Sequence, residues 1–189
     1  IGHDASMSSG QRLDALRRAF NAPPWLLDTS SDELVHSLDI ALTHDSFSNE
    51  LSMKGKDEPA NERLEFLGDA ALELAVREYV YSMTPLREGD MTGFKQKLVS
   101  NDNLAELFDR RLSALLPHLR VGEGQKNEIG PRIKAGCIEA LFGAVYLNMG
   151  MEKVNDICVR LLFQDPRFQE LLHAYLLRQR SFHQNDLDR

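Results

Sequence analysis

Apolar residues recur at spacings of three and four along most of this chain of 189 residues, and strict alternation of apolar with polar residues is almost absent. Spacings of three and four place side chains on one face of an α-helix, whereas alternation indicates a strand. At roughly 100 to 200 residues per domain, a chain of this length forms one main domain. The sequence therefore predicts an all-α fold.

Prolines, glycines and capping residues divide the helical pattern into segments. Ser31 is the predicted cap of the second helix, Asp102 is that of a later one, and a further segment begins near Glu88. Gly150 is predicted to end a largely apolar helix. The predicted helices cover residues 7–20, 34–47, 60–83, 102–119, 133–147, 152–163 and 167–180, and the predicted loops are 49–59 and 121–131.

Charge and cysteine content restrict the functional classes. The 22 lysines and arginines against 29 aspartates and glutamates give a net charge of −7, which argues against binding nucleic acid through net charge but allows a local basic strip or an acidic metal site. Cys137 and Cys158 are too few for a disulfide scaffold, so we expect an intracellular, reducing compartment. No apolar run approaches the roughly 18 residues of a membrane span, and no membrane partner is expected.

Three acidic residues stand out within the predicted helix 60–83. Glu62, Glu65 and Asp69 are spaced by three and four residues, which places them along one helix face. A solvated surface face is the simpler interpretation, but the acids are surrounded by apolar residues that predict burial, namely Leu64, Phe66, Leu67, Ala70, Ala71, Leu72 and Leu74. Buried carboxylates need compensation, and hard oxygen ligands suit Mg²⁺ or Mn²⁺.

A fourth acid, Glu139, lies within the apolar helix 133–147. Gly68 and Gly143 lack side chains, so the two helices could cross closely enough to bring Glu139 to the acids of the earlier helix. A glycine inside a helix costs roughly 1 kcal/mol relative to alanine, which suggests a packing reason for both. The alternative is that each glycine only relieves crowding.

The run 61–69 (NERLEFLGD) resembles the nine-residue signature of the ribonuclease III family. Residues 41–44 (ALTH), 98–107 (LVSNDNLAEL) and 139–147 (EALFGAVYL) extend the resemblance over roughly residues 38–163. The resemblance implies an all-helical endonuclease domain that forms a symmetric homodimer, with Phe66 inserted into the partner subunit. It also implies two sites that cut both strands of double-stranded RNA and leave short 3′ overhangs.

The resemblance also implies a set of catalytic acids and a divalent cofactor, Mg²⁺ or Mn²⁺. The family's metal ligands match Glu65, Asp69 and Glu139, and Glu62 matches a supporting or RNA-contacting acid. The family has a fourth ligand, an aspartate, where this chain has Gly136. Glycine cannot hold a cation, so we expect a damaged site, with loss of activity favoured over slow cutting. A natural pseudo-nuclease, an engineered change and a slow three-carboxylate enzyme remain open.

RNA binding requires a basic strip even on an acidic protein. Between residues 110 and 134 six basic residues oppose two acids, a local balance of +4, although a solvated loop would give the same pattern. The predicted RNA-binding residues are Lys95, Lys97, Arg120, Lys126, Arg132 and Lys134. Nothing after Phe163 is long enough for a double-stranded-RNA-binding domain. We therefore expect weak, salt-sensitive binding unless a protein partner adds affinity.

The remaining residues with reactive side chains have structural interpretations. His44 is favoured as a packed or hydrogen-bonded histidine, and the two cysteines as core residues.

The chain is predicted to have three parts: an N-terminal extension over 1–37, a ribonuclease III-like domain over 38–163, and a C-terminal helix and tail over 164–189. Phe20 and Trp25 are predicted to anchor the extension to the domain. Two functions follow: an impaired metal-dependent endoribonuclease, or an inactive ribonuclease III-like dimer with an RNA-binding or structural role.

Overall fold

A computed structural model describes residues 8–187, with side chains described to residue 179, and its fold is all-α. The helices are α1 Ser9–Asn21, α2 Asp32–Ala41, α3 Asp45–Ser52, α4 Glu62–Met83, α5 Glu88–Leu98, α6 Asn101–Arg111, α7 Pro131–Cys158 and α8 Pro166–Leu187. Two short 3₁₀ turns, Ser113–His118 and Glu123–Gln125, precede α7, and a π-helical turn, Val159–Phe163, follows it. The predicted fold class is confirmed.

Four of the eight described helices, α1, α2, α3 and α6, begin directly after a residue whose side chain caps the helix. Ser31 accepts a hydrogen bond from the backbone N–H of Leu34, as predicted, and this fixes the start of α2. The predicted cap at Asp102 is wrong, because Ser100 accepts from the N–H of Asn103. Helix α6 begins at Asn101, three residues after Leu98 ends α5. The predicted helix start at Glu88 agrees with the start of α5.

The predicted continuous helix over 34–47 is wrong. The chain leaves α2 at Ala41, and Thr43 forms an isolated β-bridge with Arg120. His44 donates its N–H to the Arg120 carbonyl at 2.9 Å, and Arg120 donates its N–H to the Leu42 carbonyl at 2.8 Å. This contact joins residues almost 80 positions apart. The next helix, α3, begins directly after it, and its first residue lines the cleft described below.

The crossing of α4 and α7 forms the centre of the molecule, and its closest point lies at two glycines. A Cβ atom on Gly68 would lie 1.7 Å from the backbone oxygen of Glu139, and one on Gly143 would lie 2.2 Å from that of Leu64. The backbones touch because neither residue has a side chain. The predicted close crossing is therefore observed, and it places the acids of the two helices side by side.

The predicted anchors of the N-terminal extension are buried. Phe20 and Trp25 are 0% and 1% exposed, and the Trp25 ring lies 6.1 Å from that of Phe142 in α7. Arg160 donates hydrogen bonds to the carbonyl oxygens of Pro24 and Trp25 at 2.9 and 3.0 Å. The part of the extension before residue 8 lies outside the described residues.

The signature helix α4 is less buried than its apolar residues predict. Its inner face, which includes Ala71, Leu72 and Val76, is fully packed, but Phe66 is 83% exposed and Leu74 is 47% exposed. The core packs against one face of α4 only, so the apolar residues on its other face are exposed to solvent. Among the described helices none is long and apolar enough to cross a membrane.

Candidate functional site

A cleft of about 960 Å³ opens where the first halves of α4 and α7 diverge from their crossing. Residues at the beginnings of α3 and α6 also line it. Six carboxylates line it, together with Gly136, and they are Asp45, Glu62, Glu65, Asp69, Glu73 and Glu139. The cleft therefore brings together all four of the acids that the sequence singled out.

Burial and neighbouring acids raise the pKa values of Glu65, Asp69 and Glu139. Burial, followed by the charges of Asp69 and Glu65, raises the pKa of Glu139 to about 7. Burial and then Glu73 raise the pKa of Asp69, and burial raises that of Glu65. Asp69 is exposed and Glu65 and Glu139 are only partly buried. Carboxylates crowded together without a cation hold their protons more tightly, so this donor set is chemically suited to a hard divalent cation.

Gly136 faces the carboxylate of Glu65 directly. A Cβ atom built on Gly136 would lie 2.7 Å from Oε2 of Glu65 and 2.9 Å from its Cδ. The Glu65 carboxylate thus fills the space next to α7 that a side chain at position 136 would occupy. In this arrangement no group of three His, Cys, Asp or Glu side chains within residues 8–187 is gathered closely enough to hold a metal ion.

Glu73 is a cleft acid that the sequence analysis missed. Its Oε1 accepts a hydrogen bond from Lys95 Nζ at 2.6 Å, and its Oε2 accepts one from Arg77 at 3.1 Å. Burial opposes ionisation, but these two cations hold the pKa of Glu73 below its ordinary value. The available signal was its spacing of four residues from Asp69, which continues the acidic face by one helical turn.

Two of the predicted RNA-binding residues are structural. Lys95 is 8% exposed and its ammonium is bound to Glu73, so it cannot present a charge at the surface. The Arg120 side chain is 12% exposed, and its guanidinium donates to Glu58 Oε1 at 2.7 Å and to Asp39 Oδ2 at 3.1 Å. Local charge counting cannot distinguish such internal ion pairs from a solvent-facing strip.

The other four predicted RNA-binding residues retain some exposure. Lys97 and Arg132 are exposed, and Arg132 lines the cleft. Lys126 pairs with Glu123, and Lys134 Nζ lies 2.8 Å from a carboxylate oxygen of Asp109. Surface ion pairs of this kind are weak and exchange readily for a phosphate.

His44 has the structural role that the sequence analysis favoured. It precedes the first residue of α3, and its Nδ1 accepts a hydrogen bond from the N–H of Ser46 at 3.2 Å.

Two other buried residues have structural roles. Asn61, 1% exposed, donates its N–H to the Thr43 carbonyl at 2.9 Å and so fixes the start of α4. Cys137 is fully buried, and burial raises the pKa of its thiol to about 12, which leaves it unreactive.

Comparisons with known proteins agree with this geometry. The family described as Ribonuclease-III-like matches residues 35–165. A Ribonuclease 3 from Pelotomaculum thermopropionicum is 42% identical over 126 residues, which are 65% of this chain and 51% of that protein. One from Variovorax paradoxus is 42% identical over 142 residues, 72% of this chain and 57% of that protein. The chain thus spans a little over half the length of these relatives.

A solved structure has the same fold. The nuclease domain of ribonuclease III from Campylobacter jejuni superposes with a TM-score of 0.63 at 28% identity, covering 82% of this chain and 99% of that one. In that protein, a region of the nuclease domain that is involved in dimer formation is structurally flexible.

Proposed function

The chain belongs to the ribonuclease-III-like family, and from that premise we propose that it acts on double-stranded RNA as an endoribonuclease whose metal-dependent site is impaired at Gly136. Residues 38–163 would form the nuclease domain, flanked by the extension 1–37 and the segment 164–189. The single observation that carries the proposal is the gathering of Glu65, Asp69 and Glu139 in one cleft, with Gly136 against Glu65.

Glu65, Asp69 and Glu139 would hold Mg²⁺ or Mn²⁺. A divalent cation bound there supplies the charge that lowers the pKa of an attacking water and offsets negative charge on the phosphate. The chain's own residues position these carboxylates. The Gly68–Gly143 crossing fixes the separation of the two acidic helices, and Asn61 fixes the start of α4.

Gly136 impairs the site in two ways. It supplies no oxygen ligand, and the space it leaves admits the Glu65 carboxylate against α7. The chain then offers Glu65, Asp69 and Glu139, three of the family's four ligand positions, and the Glu65 carboxylate would have to leave Gly136 to take part. Glu62, exposed at the cleft wall, is available to contact RNA or a coordinated water.

We propose that the domain acts as a homodimer. Phe66 lies on α4 at the edge of the cleft and is 83% exposed, which is a high exposure for a large aromatic side chain. Seating Phe66 in a second copy would bury it and would place two clefts on one assembly. This is the arrangement that double-strand cutting requires.

Metal binding is tested by thermal unfolding in Mn²⁺. We expect Mn²⁺ to raise the melting temperature of the wild-type chain, to raise that of Gly136→Asp further, and to leave the Glu65→Ala/Asp69→Ala variant unchanged. The measurement is differential scanning calorimetry over a range of Mn²⁺ concentrations. Equal shifts in wild type and the double variant would show that these acids do not form the site.

A second candidate function is an inactive dimer that holds RNA or has a structural role. The packing of Glu65 on Gly136 favours it, because a cleft whose acids rest against the protein is not organised for a cation. RNA binding without cutting, in wild type and in Gly136→Asp alike, would distinguish this function from the first.

A further inference from the structure

Arg132 is the one lysine or arginine among the described residues that line the cleft, where six carboxylates surround it. Its side chain is exposed, and it forms no hydrogen bond or ion pair with any other described residue. The other group there that can carry positive charge, His44, has its Nδ1 within 2.8 Å of both Ser46 Oγ and Asp45 Oδ1. Arg132 is therefore the cation of the cleft that remains available to an incoming anion.

The position of Arg132 on α7 sets what it can reach. It is the second residue of that helix, four residues before Gly136 and seven before Glu139, so all three lie on one face. Its charge acts on the cleft acids, since it opposes the effect of burial on the pKa values of Glu65 and Glu139. The guanidinium thus lies near the acids without being bound to any of them.

The residue at position 136 determines whether Arg132 has a partner. An aspartate there would be four residues from Arg132, the spacing at which oppositely charged side chains pair on a helix. Glycine removes that partner. The substitution that weakens the metal site therefore also releases the cation one turn away from it.

A phosphate diester fits the released guanidinium. Arginine presents a planar fork of donors that binds two phosphate oxygens at once. The carboxylates of the cleft repel a phosphate, so the Arg132 guanidinium is the group there that can attract one. The first turn of α7 adds a partial positive charge, and its flanking residues Gly130 and Pro131 also line the cleft.

Resting on the proposed function, we propose that Arg132 binds an RNA phosphate directly at the cleft and so lets this chain hold double-stranded RNA without a divalent cation. Gly136 is then the residue that makes Arg132 available. In this chain the positive charge of Arg132 neutralises part of the phosphate charge that a bound metal ion would otherwise neutralise.

Binding to a long double-stranded RNA in EDTA, at several salt concentrations, tests this inference. We expect Arg132→Ala to weaken binding about tenfold and to reduce the salt slope by about one. Arg132→Lys should keep the salt slope of the wild type while losing part of the affinity, because it keeps the charge but not the fork. Arg18→Ala, an exposed arginine on α1, is the matched control and should bind as wild type does.

A double-mutant cycle separates this role from a structural one. Gly136→Asp should weaken binding in EDTA much as Arg132→Ala does, and Arg132→Ala in that background should add little. An Arg132→Ala variant with wild-type affinity and salt slope, or full additivity of the two changes, would overturn the inference and leave the proposed function intact. No binding by the wild-type chain would overturn the proposed function itself.

Discussion

Glu139 is the residue at which the acids of the cleft interact most strongly. It extends from α7 toward Asp69, Glu65 and Glu73 on α4, and Arg132 is the cation that opposes them. Burial and these neighbours raise its pKa from an ordinary 4.5 to about 7. Near neutral pH Glu139 is therefore only partly ionised, and a cation bound there would displace its proton.

Glu139 should make the metal-free protein less stable as pH rises. The folded chain binds this proton more tightly than the unfolded chain, so the stabilisation is complete below pH 4.5 and is lost as pH passes through about 7. The free energy of unfolding should therefore fall between about pH 5 and pH 8. Because the Glu139 side chain is partly exposed, we expect Glu139→Gln to reduce this fall by only about 1 kcal/mol. Urea unfolding in EDTA at the two pH values measures this, and an unchanged pH dependence in Glu139→Gln would contradict it.

At this scale the sequence predicts which acids meet but not how they are arranged. Glu65, Asp69 and Glu139 lie in one cleft as the resemblance and the glycine spacing imply. The contact between Glu65 and Gly136 depends on a side-chain rotamer chosen in the folded protein, and no sequence spacing encodes it. The burial of Lys95 and Arg120 was missed for a related reason, since their acidic partners are distant in sequence.

Among the elements, the crossing of α4 and α7 controls the site. The distance between the acidic faces is set where Gly68 and Gly143 bring the two backbones into contact. Any side chain at this point would separate the helices. It would therefore move Glu139 away from Glu65 and Asp69 as well as cost packing energy.

Gly68→Ala should destabilise the fold despite the higher helix propensity of alanine. The added Cβ would lie 1.7 Å from a backbone oxygen, so we expect a loss of about 3 kcal/mol in the free energy of unfolding. Gly89→Ala in α5, where a Cβ meets nothing within 4 Å, is the matched control and should be neutral or slightly stabilising. Urea denaturation compares them, and equal stability of the two variants would argue against the close crossing.

Helix positions are largely predictable from capping and breaker residues, as Ser31 and the start of α5 show. The failure over 34–47 has a physical cause. Apolar periodicity continues through Leu42, but the backbone there pairs with Arg120, and a long-range bridge overrides the local helical preference. Ser100 and Asp102 are both good capping residues, and only the end of α5 at Leu98 decides between them.

For the molecule as a whole, the exposed outer face of α4 points to assembly. Phe66→Glu should leave the fold of one chain unchanged, because the ring is 83% exposed, and should convert the proposed dimer to a monomer. Met53→Glu, at a side chain that is 87% exposed on the loop after α3, is the control and should remain dimeric. Sedimentation equilibrium measures the mass, and a monomeric wild-type chain at micromolar concentration would contradict the dimer.

The central claim is that an otherwise intact ribonuclease III-type site is impaired by Gly136. Cleavage of a long double-stranded RNA in Mg²⁺ and in Mn²⁺, by the wild-type chain and by Gly136→Asp side by side, tests it most directly. We predict that the variant cuts on the order of 100-fold faster, because it gains a fourth carboxylate, whose Cβ would displace the Glu65 carboxylate from α7. Equal rates of cutting by the two proteins, or no cutting by either, would contradict the claim.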